Sequence, residues 1–210
     1  MILIGQYDSP FVRRVAIALR RYGIDYEHRP WSVFADAEKI AEFNPLRRVP
    51  TLVLDDGVVL VESSAILDAL DELVPPDRVL LPRSGPLRRD GLRIMALATG
   101  FADKAVSLYL ETLFRKAPSE RWLARCREQI ADTLDVLDAD RSKRASSWWL
   151  GESLGHVDIA VGCALTHLRE AHPDFFDPKR WPNLSVHLAR TDALDEFRAI
   201  YQPFVVKLGH

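Results

Sequence analysis

The stretch VPTLVLDDGVVLVES, residues 49–63, decides the fold of the first part of the chain. Two runs rich in β-forming residues, Thr51–Leu54 and Val58–Val61, flank the pair Asp56-Gly57, which is a strong signal for a hairpin turn. A helical pattern, Ser63–Leu73, follows at once. The stretch therefore predicts a β-hairpin that leads directly into a helix.

The residues before the hairpin alternate between short apolar runs and helical patterns. Met1–Gln6 and Tyr26–Ser32 predict strands. Pro10–Tyr22 repeats apolar residues at the i, i+3, i+4, i+7 spacing of one helix face, with its arginines mostly on the other face. Ala35–Phe43 is a weaker helical pattern. The predicted order of the first domain is therefore β-α-β-α-β-β-α.

The chain changes character at a proline-rich stretch. Four of its 13 prolines lie between residues 75 and 86, where they disfavour both helix and strand, and this predicts an interdomain linker. After the linker almost every segment has helical period, and Ile159–Leu165 is apolar on all sides, as in a buried central helix. We predict an α/β domain at 1–76, a linker at 77–87 and an all-helical domain at 88–210.

The composition excludes several classes of protein. A net charge of −2 argues against a dedicated nucleic-acid-binding protein. No apolar run is long enough to span a bilayer, and the N-terminus lacks the pattern of a signal peptide. The two cysteines, Cys126 and Cys163, are far apart and form no Cys-x-x-Cys motif, which favours a reducing compartment. We expect a cytoplasmic protein that holds no metal and binds neither nucleic acid nor a membrane.

Three short segments carry groups that could bind a polar ligand. Ser9 precedes Pro10 at a helix start, where free N–H groups and a partial positive charge would stabilise an anion such as a thiolate. Glu62 and Ser63 stand where a strand gives way to a helix, and together they fit the head group of an amino acid. The simpler interpretation of both segments is that these residues only cap helices.

The third segment contains Val49 and Pro50. If the bond between them is cis, the backbone N–H and C=O of Val49 could pair with an extended peptide, whereas an ordinary trans proline at a strand start is the alternative. Because only about 5% of X-Pro bonds are cis, the residues alone favour the trans proline.

In their order and spacing the three segments resemble the cytosolic glutathione transferase family. The resemblance rests on Ser-Pro-Phe-Val-Arg at 9–13, Asn-Pro-x-x-x-Val-Pro-Thr-Leu at 44–52 and Glu-Ser-Ser-Ala-Ile at 62–66, and it covers essentially the whole chain. The opening is similar to that of bacterial serine-type members, related to the beta, zeta and omega branches. The resemblance implies a thioredoxin-like N-terminal domain and a helical-bundle C-terminal domain with a pocket for a second substrate.

The resemblance also implies the activity. Glutathione would be the co-substrate, an electrophilic small molecule the second substrate, and the protein a homodimer with a role in detoxification. Ser9 would be the catalytic residue, because its hydroxyl would donate a hydrogen bond to the glutathione sulfur. Tyr7 is the competing donor, since some branches use a tyrosine near the end of the first strand.

The remaining glutathione contacts follow from the same resemblance. Val49 would pair with the tripeptide backbone ahead of a cis Pro50. Glu62 and Ser63 would hold the γ-glutamyl end, and Arg48 would help to hold the glycyl carboxylate. Two other functions remain open: a non-catalytic binding or regulatory protein of the same fold, and a narrow glutathione-dependent isomerase or dehalogenase.

Overall fold

The computed structural model describes residues 1–205, which form a four-stranded sheet and eight helices. No helix in this range is both long and apolar enough to cross a membrane. The elements follow one another as β1 (Ile2–Ile4), α1 (Pro10–Tyr22), β2 (Glu27–Arg29), α2 (Ala37–Ala41), β3 (Thr51–Val53), β4 (Val59–Val61), α3 (Ser63–Glu72), α4 (Gly85–Phe114), α5 (Glu120–Ser142), α6 (His156–Ala171), α7 (Pro182–Asp192) and α8 (Asp195–Ala199).

The sheet has the strand order β2-β1-β3-β4. Strands β1 and β2 are parallel, whereas β1 pairs antiparallel with β3, and β3 antiparallel with β4. With its helices this mixed sheet is thioredoxin-like, and the helical second part is a bundle, so the predicted fold class and element order are confirmed. Each strand is three residues long, and β1 ends before Gly5, which has a φ of +128°.

The chain divides into two compact units at other positions than the predicted boundaries of 1–76, 77–87 and 88–210. The first unit contains Met1–Arg83 and also the described residues from Leu194 onward, and the second contains Ser84–Ala193. The proline-rich stretch stays with the first unit as far as Arg83, because its arginines bind backbone there. Arg78 donates to the carbonyl of Tyr22 at 2.9 Å, and Arg83 donates to two carbonyls at the end of α3.

Helix α1 begins and ends as its sequence predicts. Ser9 is its N-cap, Pro10 is its first residue, and Gly23 ends it in the left-handed conformation at a φ of +69°. The apolar face is buried, as expected. Arg13 and Arg14 are buried as well, although the helical pattern places most of the arginines on the polar face.

In the second unit α6 is buried along almost its whole length. Asp158 lies in its first turn, and its carboxylate accepts hydrogen bonds from the backbone N–H groups of Trp149, at 2.9 Å, and Gly155, at 3.0 Å. Burial raises the pKa of this carboxyl group to about 6. A complete capping box has a second hydrogen bond, from the backbone of the third helical residue to the side chain of the N-cap residue. Gly155 has no side chain to accept it, so the box here consists of the Asp158 carboxylate alone.

We predict that Gly5→Ala destabilises the first unit by about 3 kcal/mol, because the positive φ is strained and the added carbon has no room. That carbon would lie 2.5 Å from Cγ2 of Val12 and 2.8 Å from Cβ of Val49. Urea denaturation measures the loss. The control is Gly57→Ala, at a φ of +86° with no heavy atom of the described chain within 4 Å of the new carbon. It should cost only about 1 kcal/mol, and equal losses would contradict the steric argument.

Candidate functional site

The strand register brings the three predicted site segments to one end of the sheet. Ile4 lies opposite Thr51, and Thr51 lies opposite Val61. Because both pairings are antiparallel, the loop after β1, Pro50 before β3 and Glu62 after β4 lie at the same end of their strands. This end of the sheet, with the loops that leave it, is the candidate site.

Ser9 caps α1 through an oxygen that can also donate a hydrogen bond. Its Oγ accepts a hydrogen bond from the Val12 N–H at 3.4 Å, and its own N–H donates to the carbonyl of Gln6 at 3.2 Å, which closes a turn. Acting as an acceptor does not consume the hydroxyl proton, so the capping oxygen can still donate. Ser9 is partly exposed at the N-terminus of α1, where the helix dipole favours an anion.

The side chain of Tyr7 is engaged with two neighbours in the same unit. Its hydroxyl lies 2.7 Å from the hydroxyl of Tyr26, and its ring stacks on the imidazole of His28 with centroids 3.9 Å apart. Burial raises the pKa of Tyr7 above its usual value. The tyrosine therefore packs against β2, and a hydrogen bond from it to a ligand would compete with Tyr26.

The loop before β3 is held by a buried asparagine. The Val49–Pro50 bond is cis. Asn44 donates from Nδ2 to the carbonyl of Arg48 at 2.9 Å and to Oγ1 of Thr51 at 3.1 Å, so it joins the two sides of the loop. Asn44 belongs to the motif at 44–52, but the motif alone predicts no role for it. Its signal was its place at the start of a loop that ends in a strand, since asparagine commonly bonds to nearby backbone.

Glu62 joins β4 to α3 in an unusual backbone conformation, with a φ of +66° and a ψ of 120°. Its carboxylate pairs with the Arg48 guanidinium at 3.3 Å, and both side chains are more than half exposed, at 56% and 58%. An exposed ion pair of this kind contributes little stability, so a ligand can replace one partner at small cost.

Ser63 begins α3 and is buried. The helix has no side-chain cap, so its first N–H groups remain available to an anionic group of a ligand. Ser64, the next residue, accepts a hydrogen bond from the buried Arg14 at 2.7 Å. The site thus offers two helix N-termini, one carboxylate and one guanidinium, a set that suits a ligand carrying both carboxylates and an ammonium group.

No group of three or more histidine, cysteine, aspartate or glutamate side chains within residues 1–205 is placed to hold a metal ion. Cys126 and Cys163 are both buried in the second unit. Burial also raises the pKa of the Cys126 thiol, which disfavours its reactive thiolate form.

Comparison with known proteins gives the same family for both parts of the chain. Residues 3–78 match the glutathione S-transferase N-terminal domain, and residues 120–190 match the glutathione S-transferase C-terminal domain. The GST-like protein YibF of Escherichia coli (strain K12), described as uncharacterized, is 34% identical over 173 residues, which are 80% of this chain and 82% of YibF.

Two further comparisons extend this result. A probable maleylacetoacetate isomerase of Caenorhabditis elegans is 37% identical over 163 residues, or 76% of this chain and 75% of the isomerase. The crystal structure of a glutathione S-transferase from Methylobacterium radiotolerans, in complex with glutathione sulfonate, superposes with a TM-score of 0.91 and 30% identity over 100% of this chain and 97% of that one. The chain therefore belongs to the glutathione S-transferase family.

Proposed function

We propose that this protein is a glutathione transferase that ionises the thiol of glutathione and directs the thiolate onto an electrophilic small molecule. The observation that carries the proposal is the meeting of Ser9, the cis Val49–Pro50 bond and the Glu62-Ser63 pair at one end of the sheet. The glutathione sulfonate held by the structural relative from Methylobacterium radiotolerans supports it.

In this proposal the backbone of Val49 pairs with the cysteinyl part of the tripeptide ahead of Pro50. Glu62 receives the γ-glutamyl ammonium group, and Ser63 with the start of α3 receives the neighbouring carboxylate. The ammonium group would replace the Arg48 guanidinium at the Glu62 carboxylate. Arg48 would then be free to pair with the glycyl carboxylate. Binding would therefore replace the Arg48–Glu62 ion pair with two ion pairs to glutathione.

Ser9 acts on the thiol by stabilising its anion. A free thiol has a pKa of about 8.5, and lowering it by about two units requires a preference of ~2.7 kcal/mol for the thiolate. A hydrogen bond to a charged acceptor contributes about 1.5–3 kcal/mol. The N-terminus of α1 adds about 0.3–1 kcal/mol. The two together reach the amount required, so Ser9 does not need to act as a base.

The chemical step is then a displacement or an addition by sulfur. The thiolate forms a C–S bond with an electrophilic carbon, and either a leaving group departs with its electron pair or the resulting carbanion takes a proton from water. The second substrate would bind in the helical second unit, Ser84–Ala193, as the family resemblance implies. The same proposal includes a homodimer, a cytoplasmic location and a role in detoxification.

A narrow glutathione-dependent isomerase is the second candidate, favoured by the similarity to the probable maleylacetoacetate isomerase of Caenorhabditis elegans. Here the thiolate would add to a cis double bond next to a carbonyl, the new single bond would rotate, and the thiolate would leave again. Glutathione is regenerated in this reaction, so catalytic amounts of glutathione would isomerise the alkene without accumulation of a conjugate.

The direct test measures glutathione binding by calorimetry and then turnover with an aryl halide and with a cis-enedione. Binding with consumption of glutathione supports the transferase. Isomerisation without consumption supports the second candidate, and binding without turnover supports a non-catalytic protein of this fold. A protein that fails to bind glutathione at millimolar concentration contradicts the proposal.

We predict that Ser9→Ala lowers kcat by about 10- to 100-fold while the glutathione Kd changes by less than about twofold, because the lost hydrogen bond stabilises the anion. The pH–rate profile should shift to higher pH. Tyr7→Phe is the matched control, since Tyr7 already bonds to Tyr26, and its profile should stay in place. A shift with Tyr7→Phe and none with Ser9→Ala would assign the sulfur donor to Tyr7.

We predict that Glu62→Ala and Glu62→Gly both weaken glutathione binding by about tenfold, because each loses the carboxylate that meets the ammonium group. The glycine variant should be about 1 kcal/mol more stable than the alanine variant, since glycine relieves the positive φ of this position. Calorimetry and urea denaturation measure the two effects. Unchanged affinity would contradict the binding role, and equal stability would contradict backbone strain.

A further inference from the structure

The turn that carries Ser9 leaves the backbone N–H of Tyr7 without an acceptor inside the turn. Its own hydrogen bond joins the Ser9 N–H to the Gln6 carbonyl, so the N–H of Tyr7, the second residue of the turn, needs another acceptor. Oε1 of Gln202 accepts it at 3.2 Å. The acceptor therefore comes from 195 positions later in the chain.

Gln202 belongs to a segment that lies against α1, and we name residues 194–202 the C-terminal strap. Arg13 is only 4% exposed and donates from Nε to the carbonyl of Ile200 and from Nη2 to the carbonyl of Phe197, both at 2.8 Å. Its guanidinium also lies 5.5 Å from the ring centroid of Phe197 and 5.4 Å from that of Tyr201. Arg13 thus fixes the strap beside the first turn of α1.

The strap is held at its other end as well. Arg21, near the end of α1, pairs with Glu196 at 2.5 Å. The strap therefore follows α1 from its last turn to its first and ends at the turn before Ser9. The Ser9 turn is fixed on two sides, because the Tyr7 ring is anchored on His28 and the Tyr7 backbone is anchored on Gln202.

We propose that Gln202 is a positioning residue for the thiolate, acting through the Tyr7 N–H to keep the Ser9 hydroxyl aimed at the glutathione sulfur. The inference rests on the proposed function, in which Ser9 is the donor. A hydrogen bond weakens steeply when its angle departs from linear. If the turn were mobile, the Ser9 hydroxyl would spend less time oriented to donate to the sulfur. The strap would therefore control ionisation of the thiol and leave binding of glutathione to the segments at 48–63.

The experiment removes the side-chain oxygen of Gln202 that accepts from Tyr7 and preserves the length of the side chain. Gln202→Met has a side chain of similar length without the oxygen, and Gln202→Glu retains an acceptor. Gln129→Met makes the same chemical change on α5 and serves as the control. Hydrogen exchange followed by NMR reports the Tyr7 amide, ultraviolet titration reports the pKa of the bound thiol, and calorimetry reports the glutathione Kd.

In Gln202→Met we expect about fivefold faster exchange of the Tyr7 amide, a raised pKa of the bound thiol and a kcat about fivefold lower, with the Kd within about twofold of wild type. Gln202→Glu should keep slow exchange. Gln129→Met should match the wild type in every measurement.

Four results would overturn the inference. Unchanged exchange in Gln202→Met would show that the strap does not hold the turn. Faster exchange with an unchanged thiol pKa and kcat would show that the turn does not position the donor. A parallel loss of binding, kcat and thermal midpoint would show a merely structural role. A wild-type protein that binds no glutathione would refute the proposed function and the positioning role together. Hydrogen exchange of the Tyr7 amide would still show whether the strap holds the turn.

Discussion

The close approach of Gly5 to Val12 and Val49 is the constraint on which the candidate site depends. Gly5 follows β1 with a positive φ, and the space that a side chain would occupy there is filled by the two valines. One valine lies in the first turn of α1, and the other precedes the cis proline. A single residue without a side chain therefore lets the start of α1 and the loop that contains the cis proline approach the same strand end, and any larger residue would drive them apart.

The features that distinguish this end of the sheet add little stability to the unbound chain. The first N–H groups of α3 lack a side-chain cap, the Glu62 backbone has a conformation that glycine would adopt more easily, and the Arg48–Glu62 pair is exposed. Each feature costs free energy or contributes little of it in the unbound chain. Such features persist where the surrounding structure enforces them, and here the register of β3 and β4 fixes Glu62 whatever its own preference.

The fold was predictable from the sequence because local patterns determine it. The hairpin at 51–61 follows from its Asp-Gly turn, and α1 follows from its apolar face, its Ser9 cap and Gly23. The site segments were predictable because their spacing matches a known family. The strap was not predictable, because Arg13 meets carbonyls 184 and 187 positions away, and a helical pattern classifies an arginine as polar surface without showing that another segment covers it.

The buried Arg13 also explains how a helix as short as α8 can be stable. A five-residue helix leaves most of its backbone carbonyls without partners inside the helix, and its intrinsic stability in water is negligible. Arg13 places a fixed positive charge at the carbonyls of Phe197 and Ile200, the end where a helix carries its partial negative charge. The carbonyls that accept from the guanidinium offset the cost of its burial, and the guanidinium in turn satisfies those carbonyls. The start of α1 and the strap therefore order each other, and Ser9 occupies the turn that both of them hold.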